Sequence, residues 1–191
     1  MIDGLRVRNN GIFLEPLMDK DVFSAMSRGV TILENLQCKY WCSAGTCLGL
    51  VREVKGWISH DTDIDVEVLV KGKEPFWITR EFLNLGYKPI REIVYKGKVM
   101  QLAFMDKDSI IFDIYFYYEK SSDNEYFVNF NDMGKLLMPK RLVQETEVVK
   151  GYKCPKPVNE YLVLRFGEDW RIPKSSKSGW GSDAGELLKK M

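Results

Sequence analysis

The fold is decided by the stretch YWCSAGTCLGLVREVKGWISHDTDIDVEVLV, residues 40–70. It begins with a short aromatic run, residues 40–44, that is typical of a strand. The sequence then predicts a helix over residues 45–52 and a second strand over residues 62–70. Because polar and apolar side chains alternate along that second strand, one face of the sheet should be acidic and the other apolar.

The second strand carries carboxylates at alternating positions. Asp63 and Asp65 are separated by one residue, so both side chains lie on the same face of a strand. Two adjacent carboxylates repel unless a cation neutralises them, which makes this pair a candidate site for Mg²⁺ or Mn²⁺. The alternative is a solvated acidic edge strand. A calcium-binding EF-hand loop starting at Asp61 is excluded, because Val66 and Gly72 occupy positions that require glycine and glutamate.

A third carboxylate lies in the strand-like run SIIFDIYFYY, residues 109–118. Asp113 is the only charged residue of this run, and an isolated buried carboxylate is strongly destabilising. Its position is explained if Asp113 faces the same metal site as Asp63 and Asp65 from a neighbouring strand. The alternative is that Asp113 faces solvent on a half-exposed sheet. Three carboxylates from two strands form the kind of site that supports metal-dependent phosphoryl or nucleotidyl transfer.

A second candidate element is the strand-to-helix junction at Gly45 and Thr46. Glycine lets the backbone approach a phosphate, and a helix N-terminus presents unpaired N–H groups. A plain turn is the alternative. Arg52, at the end of the same helix, is a candidate for contacting donor phosphates. Asp61 and His60 adjoin the aspartate pair, and we interpret them as possible supporting residues.

The bulk properties of the 191 residues limit the possible classes. A net charge of +1 gives no general reason to expect a nucleic-acid partner, and we expect none. No run approaches the roughly 20 apolar residues of a membrane span. There is no apolar signal-like segment near the start and no CxxC pair among the four cysteines, so we expect a cytoplasmic protein with reduced thiols.

The remaining segments complete an α+β pattern with a mixed central sheet and flanking helices. Further helices are predicted over residues 21–36, 75–85 and 158–166, and further strands over residues 88–95, 99–105 and 125–130. We expect residues 1–173 to form one domain. Residues 174–191 include a Gly/Ser-rich stretch that predicts a flexible tail.

Three blocks of the sequence occur together in one known family. The blocks GTCLGLVR (residues 45–52) and WISHDTDID (residues 57–65) resemble the motif GTLLGAVR…GFIPWDDDIDI of the LicD/fukutin family. A YL pair followed by RFGEDWRIP (residues 165–173) resembles the family's YL…YGxDW…P ending, which we interpret as structural packing. His60 and Thr62 depart from the motif. The resemblance implies the nucleotidyltransferase fold also seen in DNA polymerase beta.

The resemblance also implies an activity. Members of this family are associated with moving phosphocholine, or a polyol or sugar phosphate, from a CDP- or UDP-type nucleotide donor to a hydroxyl of a glycan or glycoconjugate. Asp63, Asp65 and Asp113 would be the catalytic and metal-binding carboxylates. One alternative is a nucleotidyltransferase that moves NMP to a small acceptor such as a sugar phosphate or aminoglycoside. Another is a non-catalytic nucleotide- or glycan-binding protein.

Overall fold

The structure is a computed structural model that describes residues 4–11, 15–17, 20–119, 125–131, 134–173 and 188–189. Its helices are α1 (Val22–Asn35), α2 (Ala44–Arg52), α3 (Glu74–Asn84), α4 (Lys140–Val143) and α5 (Val158–Phe166). Its strands are β1 (Leu5–Asn9), β2 (Lys39–Cys42), β3 (Asp63–Leu69), β4 (Lys88–Tyr95), β5 (Lys98–Met105), β6 (Ile111–Glu119), β7 (Tyr126–Asn131), β8 (Gly134–Pro139), β9 (Thr146–Val149), β10 (Tyr152–Pro155) and β11 (Leu188–Lys189).

One mixed sheet organises the described part of the chain. β1, β4, β5, β6, β7, β8 and β11 follow one another as antiparallel neighbours. β3 pairs with β6 in parallel, and β2 adds to β3 in antiparallel orientation. β9 and β10 form a separate two-stranded ribbon. The predicted α+β class, with a mixed central sheet and flanking helices, is confirmed.

Most of the predicted elements are present close to their predicted bounds. The helix predicted over residues 158–166 coincides with α5, and the helix over residues 45–52 begins one residue early as α2. The sequence analysis missed β1, β8, β9, β10 and α4, which are short and lack a clear apolar period. All four cysteines are buried and free in the structure.

Two further expectations concern the predicted C-terminal tail and membrane-spanning segments. Of the predicted tail, residues 188–189 are described and form β11, which pairs with β8. The rest of residues 174–191 lies outside the described residues, as do several residues of the predicted domain. Within the described ranges, no helix combines the length and the apolar character that crossing a membrane requires.

The apolar face of the sheet packs against α1 and α3. Phe82 of α3 stacks on Phe104 with ring centroids 4.7 Å apart, and its ring lies 5.5 Å from that of Phe112. In α1, a Cβ atom added to Gly29 would lie 2.2 Å from Cε2 of Phe112. Gly29 therefore lets the helix approach the sheet, and it leaves the opposite face of β3 and β6 to the polar residues.

The close approach at Gly29 predicts a destabilising exchange. At an exposed helix position, replacing glycine by alanine stabilises by about 1 kcal/mol. Gly29→Ala should instead lower the free energy of unfolding by about 1–3 kcal/mol, because the added methyl group overlaps the buried Phe112 ring. Urea denaturation measures the change.

The matched control is the exchange Gly29→Ala in a Phe112→Leu background, where part of the obstructing ring is absent. The loss caused by the added methyl group should be smaller there than in the wild type. A Gly29→Ala protein as stable as the wild type would contradict the close contact between α1 and the sheet.

Candidate active site

Four aspartates meet on the polar face of the sheet. Asp65 of β3 and Asp113 of β6 are directly opposite each other in the parallel pairing, and their side chains are 0% and 5% exposed. Strand alternation brings Asp63 to the same face. Asp61, Asp63 and Asp65 each offer a carboxylate oxygen, and these three atoms lie within 4.8 Å of one another. We call Asp61, Asp63, Asp65 and Asp113 the carboxylate cluster.

Burial and mutual repulsion shift the titration of this cluster. Burial and the charge of Asp63 raise the pKa of Asp113 to about 7, and the same two causes raise the pKa of Asp61 to about 8. The pKa of Asp65 lies well above its ordinary value because of burial and the surrounding aspartates. Burial also raises the pKa of Asp63. Without a cation, the cluster cannot be fully ionised at neutral pH.

Several oxygens of the cluster have no hydrogen-bond partner among the described residues. They are Oδ1 of Asp63, both carboxylate oxygens of Asp65 and Oδ1 of Asp113, all of them buried. Buried acceptors are normally paired, so this group calls for an explanation. Carboxylate oxygens are the ligands that Mg²⁺ and Mn²⁺ prefer, and the cluster therefore fits a divalent cation.

The three aspartates whose carboxylate oxygens group together in the structure are not the same three that the sequence predicted as metal ligands. The sequence analysis assigned the metal to Asp63, Asp65 and Asp113, with Asp61 only as a possible support. In the structure, Asp61 lies within the close group, and Asp113 lies beside it on the neighbouring strand. The predicted residues are thus near one another, and Asp61 belongs to the group whose carboxylate oxygens lie within 4.8 Å of one another.

Neighbouring side chains hold the cluster in place. Gln101 of β5 donates from Nε2 to Oδ2 of Asp113 at 2.6 Å. The hydroxyl of Thr46 accepts a hydrogen bond from the backbone N–H of Asp65 at 2.7 Å, which ties the first turn of α2 to β3. The backbone N–H of Ser43 donates to the carbonyl of Asp65 at 3.1 Å. The sequence analysis missed Gln101, which no local pattern distinguishes.

The start of α2 lies directly beside the cluster. A Cβ atom at Gly45 would be 2.2 Å from Oδ2 of Asp61, so any larger residue would displace that carboxylate from its position. The N–H of Ala44 donates to the hydroxyl of Tyr161 at 2.9 Å. Ala44 has φ +43°, a strained conformation of the kind found at functional sites. Gly45 and Thr46 therefore lie at the site, although the Thr46 hydroxyl already binds the backbone of β3.

Two other predicted residues lie elsewhere. Arg52 is at the opposite end of α2, about 10 Å along the helix axis from Gly45. Its guanidinium donates to Oε1 of Glu53 at 2.7 Å and to the carbonyl of Trp170 at 3.2 Å. The structure does not bring Arg52 to the carboxylate cluster. His60 lies in the loop before Asp61 and is exposed.

A buried cation behind the cluster was also missed. Arg165 of α5 is only 8% exposed. Burial raises the pKa of Glu67 to about 7, and the positive charge of Arg165 opposes that rise. Glu67 in turn accepts a hydrogen bond from Nε1 of Trp41 at 2.6 Å. Arg165 is the only charged residue of the run YLVLRF, residues 161–166, a signal like the one that singled out Asp113. The C-terminal block thus contributes charge to this face as well as packing.

The raised pKa values predict how stability depends on pH. The native state holds protons on Asp61 and Asp113 up to about pH 8 and about pH 7, whereas unfolded carboxyl groups release them near pH 4. The native state therefore binds more protons between those limits, and the free energy of unfolding should fall as pH rises through them. Melting temperatures in EDTA, measured from about pH 5 to about pH 8, test this.

Asp61→Asn and Asp113→Asn should each flatten that slope. Glu119→Gln, at an exposed carboxylate on the same strand as Asp113, should leave it unchanged. A metal-free wild-type protein whose melting temperature rises over this interval would contradict the shared burial of the carboxylates.

The sequence of this chain is similar to those of several known proteins. Residues 37–157, more than half of the chain, match the family described as "LicD/FKTN/FKRP, nucleotidyltransferase domain". Ribitol-5-phosphate transferase FKTN of Mus musculus is 26% identical over 185 residues, which cover 88% of this chain and 39% of that protein. The Homo sapiens protein of the same name is 28% identical over 148 residues, covering 74% of this chain and 31% of that one. The chain spans less than half the length of these relatives.

Two solved structures are also similar. Lincosamide antibiotic adenylyltransferase LnuA, bound to lincomycin, aligns with a TM-score of 0.48 and 15% identity, covering 74% of this chain and 80% of that one. ANT(2")-Ia in complex with adenylyl-2"-tobramycin aligns with a TM-score of 0.46 and 12% identity, covering 69% and 66%. The match over residues 37–157 is the finding that identifies the family. This chain belongs to the LicD/FKTN/FKRP nucleotidyltransferase-domain family.

Proposed function

We propose that this chain is a metal-dependent transferase that moves a polyol phosphate, sugar phosphate or phosphocholine from a CDP- or UDP-linked donor to a hydroxyl of a glycan or glycoconjugate. The observation that carries the proposal is the set of buried, unpartnered carboxylate oxygens on two adjacent parallel strands within the described chain. The family membership supports it. The relatives' name, ribitol-5-phosphate transferase, favours a polyol phosphate as the transferred group.

Asp63, Asp65 and Asp113 would hold the metal, with Asp61 beside them. Bound Mg²⁺ or Mn²⁺ supplies positive charge that neutralises the transferred phosphate and the leaving group. At the adjacent start of α2, Gly45 and the helix N-terminus favour the negative charge of the donor phosphates. The residues of the chain thus bind and orient an anionic donor next to the carboxylates.

The transfer forms one bond and breaks one. The acceptor hydroxyl oxygen attacks the phosphorus that carries the polyol, sugar or choline, and the bond from that phosphorus to the bridging oxygen breaks. A nucleoside monophosphate leaves, and the hydroxyl proton passes to a carboxylate. Asp113 is one candidate for accepting this proton, and Gln101 fixes its carboxylate by donating to Oδ2. Asp61 is the other candidate.

The proposal predicts metal-dependent binding of a nucleotide donor. CDP-ribitol, CDP-choline or a UDP-sugar at about 100 times its dissociation constant should stabilise the native state by about 2.7 kcal/mol when Mg²⁺ or Mn²⁺ is present. Asp63→Asn and Asp65→Asn should remove the metal-dependent part and lower the transfer rate by about 10²–10³-fold. Thermal shift and release of the nucleoside monophosphate measure the two effects.

Glu119→Gln is the control, since it removes an exposed carboxylate from β6 without touching the cluster. The proposed metal site is wrong if no nucleotide stabilises the wild type in a metal-dependent manner, or if both asparagine variants respond as the wild type does. Mass spectrometry of the product identifies the transferred group. An acceptor that gains NMP, with loss of the other half of the donor, would establish nucleotidyl transfer instead.

A further inference from the structure

A row of directly paired residues crosses four strands of the sheet. Arg91 of β4 pairs with Ala103 of β5, Ala103 pairs with Asp113 of β6, and Asp113 pairs with Asp65 of β3. Residues directly opposite each other on neighbouring strands point to the same face. Arg91 therefore lies on the face that carries the carboxylates, two strands from Asp113.

An irregularity in β4 sets the position of Arg91. The register of β4 against β5 shifts between Pro89 and Arg91, so that Ile90 is an additional residue in the strand. Bulges of this kind redirect side chains and recur beside active sites. The buried Ile90 packs with Ala103 and Ile111 in a small apolar cluster that is separate from the main core. Since Ile111 pairs with Asp63, this apolar cluster adjoins the carboxylates.

Arg91 lies close enough to the carboxylates for its charge to act on Asp63 and Asp113. Ala103, between Arg91 and Asp113, carries a single methyl group, so no bulky side chain on β5 separates the two. Burial raises the pKa values of Asp63 and Asp113, and the charge of Arg91 opposes this effect at both. Arg91 is also half-buried, so a ligand on this face can reach it.

We propose that Arg91 is a substrate-binding residue that contacts the phosphate groups of the donor from the side opposite α2. This inference rests on the proposed function and adds a residue to it. A guanidinium offers two parallel N–H donors to phosphate oxygens, which suits it to bind a phosphate group. Once a cation neutralises the carboxylates, Arg91 can exchange its attraction to them for an anionic ligand. The apolar cluster beside it forms the floor next to that phosphate.

Titration calorimetry of the full chain tests the role of Arg91 with three probes, namely Mg²⁺ alone, Mg²⁺ with inorganic pyrophosphate, and Mg²⁺ with CDP-ribitol. Arg91→Met should weaken the binding of pyrophosphate and CDP-ribitol by about 10–100-fold, the range expected for lost charged hydrogen bonds. Arg91→Lys should restore part of that loss. Binding of Mg²⁺ alone should not weaken, because the variant removes a positive charge.

Arg8→Gln is the matched control. Arg8 pairs with Glu92 at the same edge of the sheet but on the opposite face, and its side chain is 79% exposed. All three probes should bind this variant as they bind the wild type. The melting temperature of each variant without ligand shows whether the fold is retained.

The possible outcomes separate this inference from the proposed function. Arg91→Met binding both phosphate probes as tightly as the wild type would overturn the inference and leave the proposed function standing. Loss of Mg²⁺ binding together with the phosphates would also overturn it, because Arg91 would then act on the carboxylates alone. If the wild type binds pyrophosphate but no nucleotide donor, and Arg91→Met loses pyrophosphate, the inference holds and the donor class is wrong. A wild type that binds neither phosphate probe overturns both.

Discussion

Asp65 and Asp113 face each other across two parallel strands, and the burial of these like charges is the constraint on which the surrounding structure depends. Burial penalises the ionised form of each carboxyl group, and repulsion adds to the penalty. The groups that oppose it come from separate elements of the fold. Gln101 of β5 donates to Asp113, while Arg91 of β4 and Arg165 of α5 bring positive charge from two sides. A destabilising cluster supported in this way is typical of a functional site.

The glycines of α2 act on the same cluster through packing. Gly45 leaves room for the carboxylate of Asp61, and a Cβ atom at Gly49, one turn later, would lie 2.7 Å from Cα of Trp57. The loop before β3 therefore rests directly on one face of the helix. Its position determines where Asp61 lies relative to Asp63. The spacing of glycines in GTCLGLVR thus has a geometric reason that is independent of any phosphate.

Local pattern and the cost of a buried charge predicted the aspartates and their shared face, but none of the other long-range contacts of the site. Strand alternation alone predicts that Asp63 and Asp65 share a face, and an isolated charge in an apolar run singles out Asp113. The pairing that joins β3 to β6 spans about fifty residues and leaves no local mark. The position of Arg91 depends on a register shift between β4 and β5. The sequence of β4 does not reveal that shift. Arg52 has a suitable residue type, but Glu53 and Trp170 hold it at the far end of α2.

Residues 161–170, near the C-terminus, make contacts that any fragment must include in order to keep this site. The family match ends at residue 157, yet Tyr161 accepts the hydrogen bond from Ala44 that satisfies the start of α2. Arg165 supplies the buried charge opposite Glu67, and the Trp170 carbonyl accepts from Arg52. A fragment trimmed to residues 37–157 would keep all four aspartates and lose these partners. The segment that matches the family model is therefore shorter than the segment that holds the carboxylate cluster together.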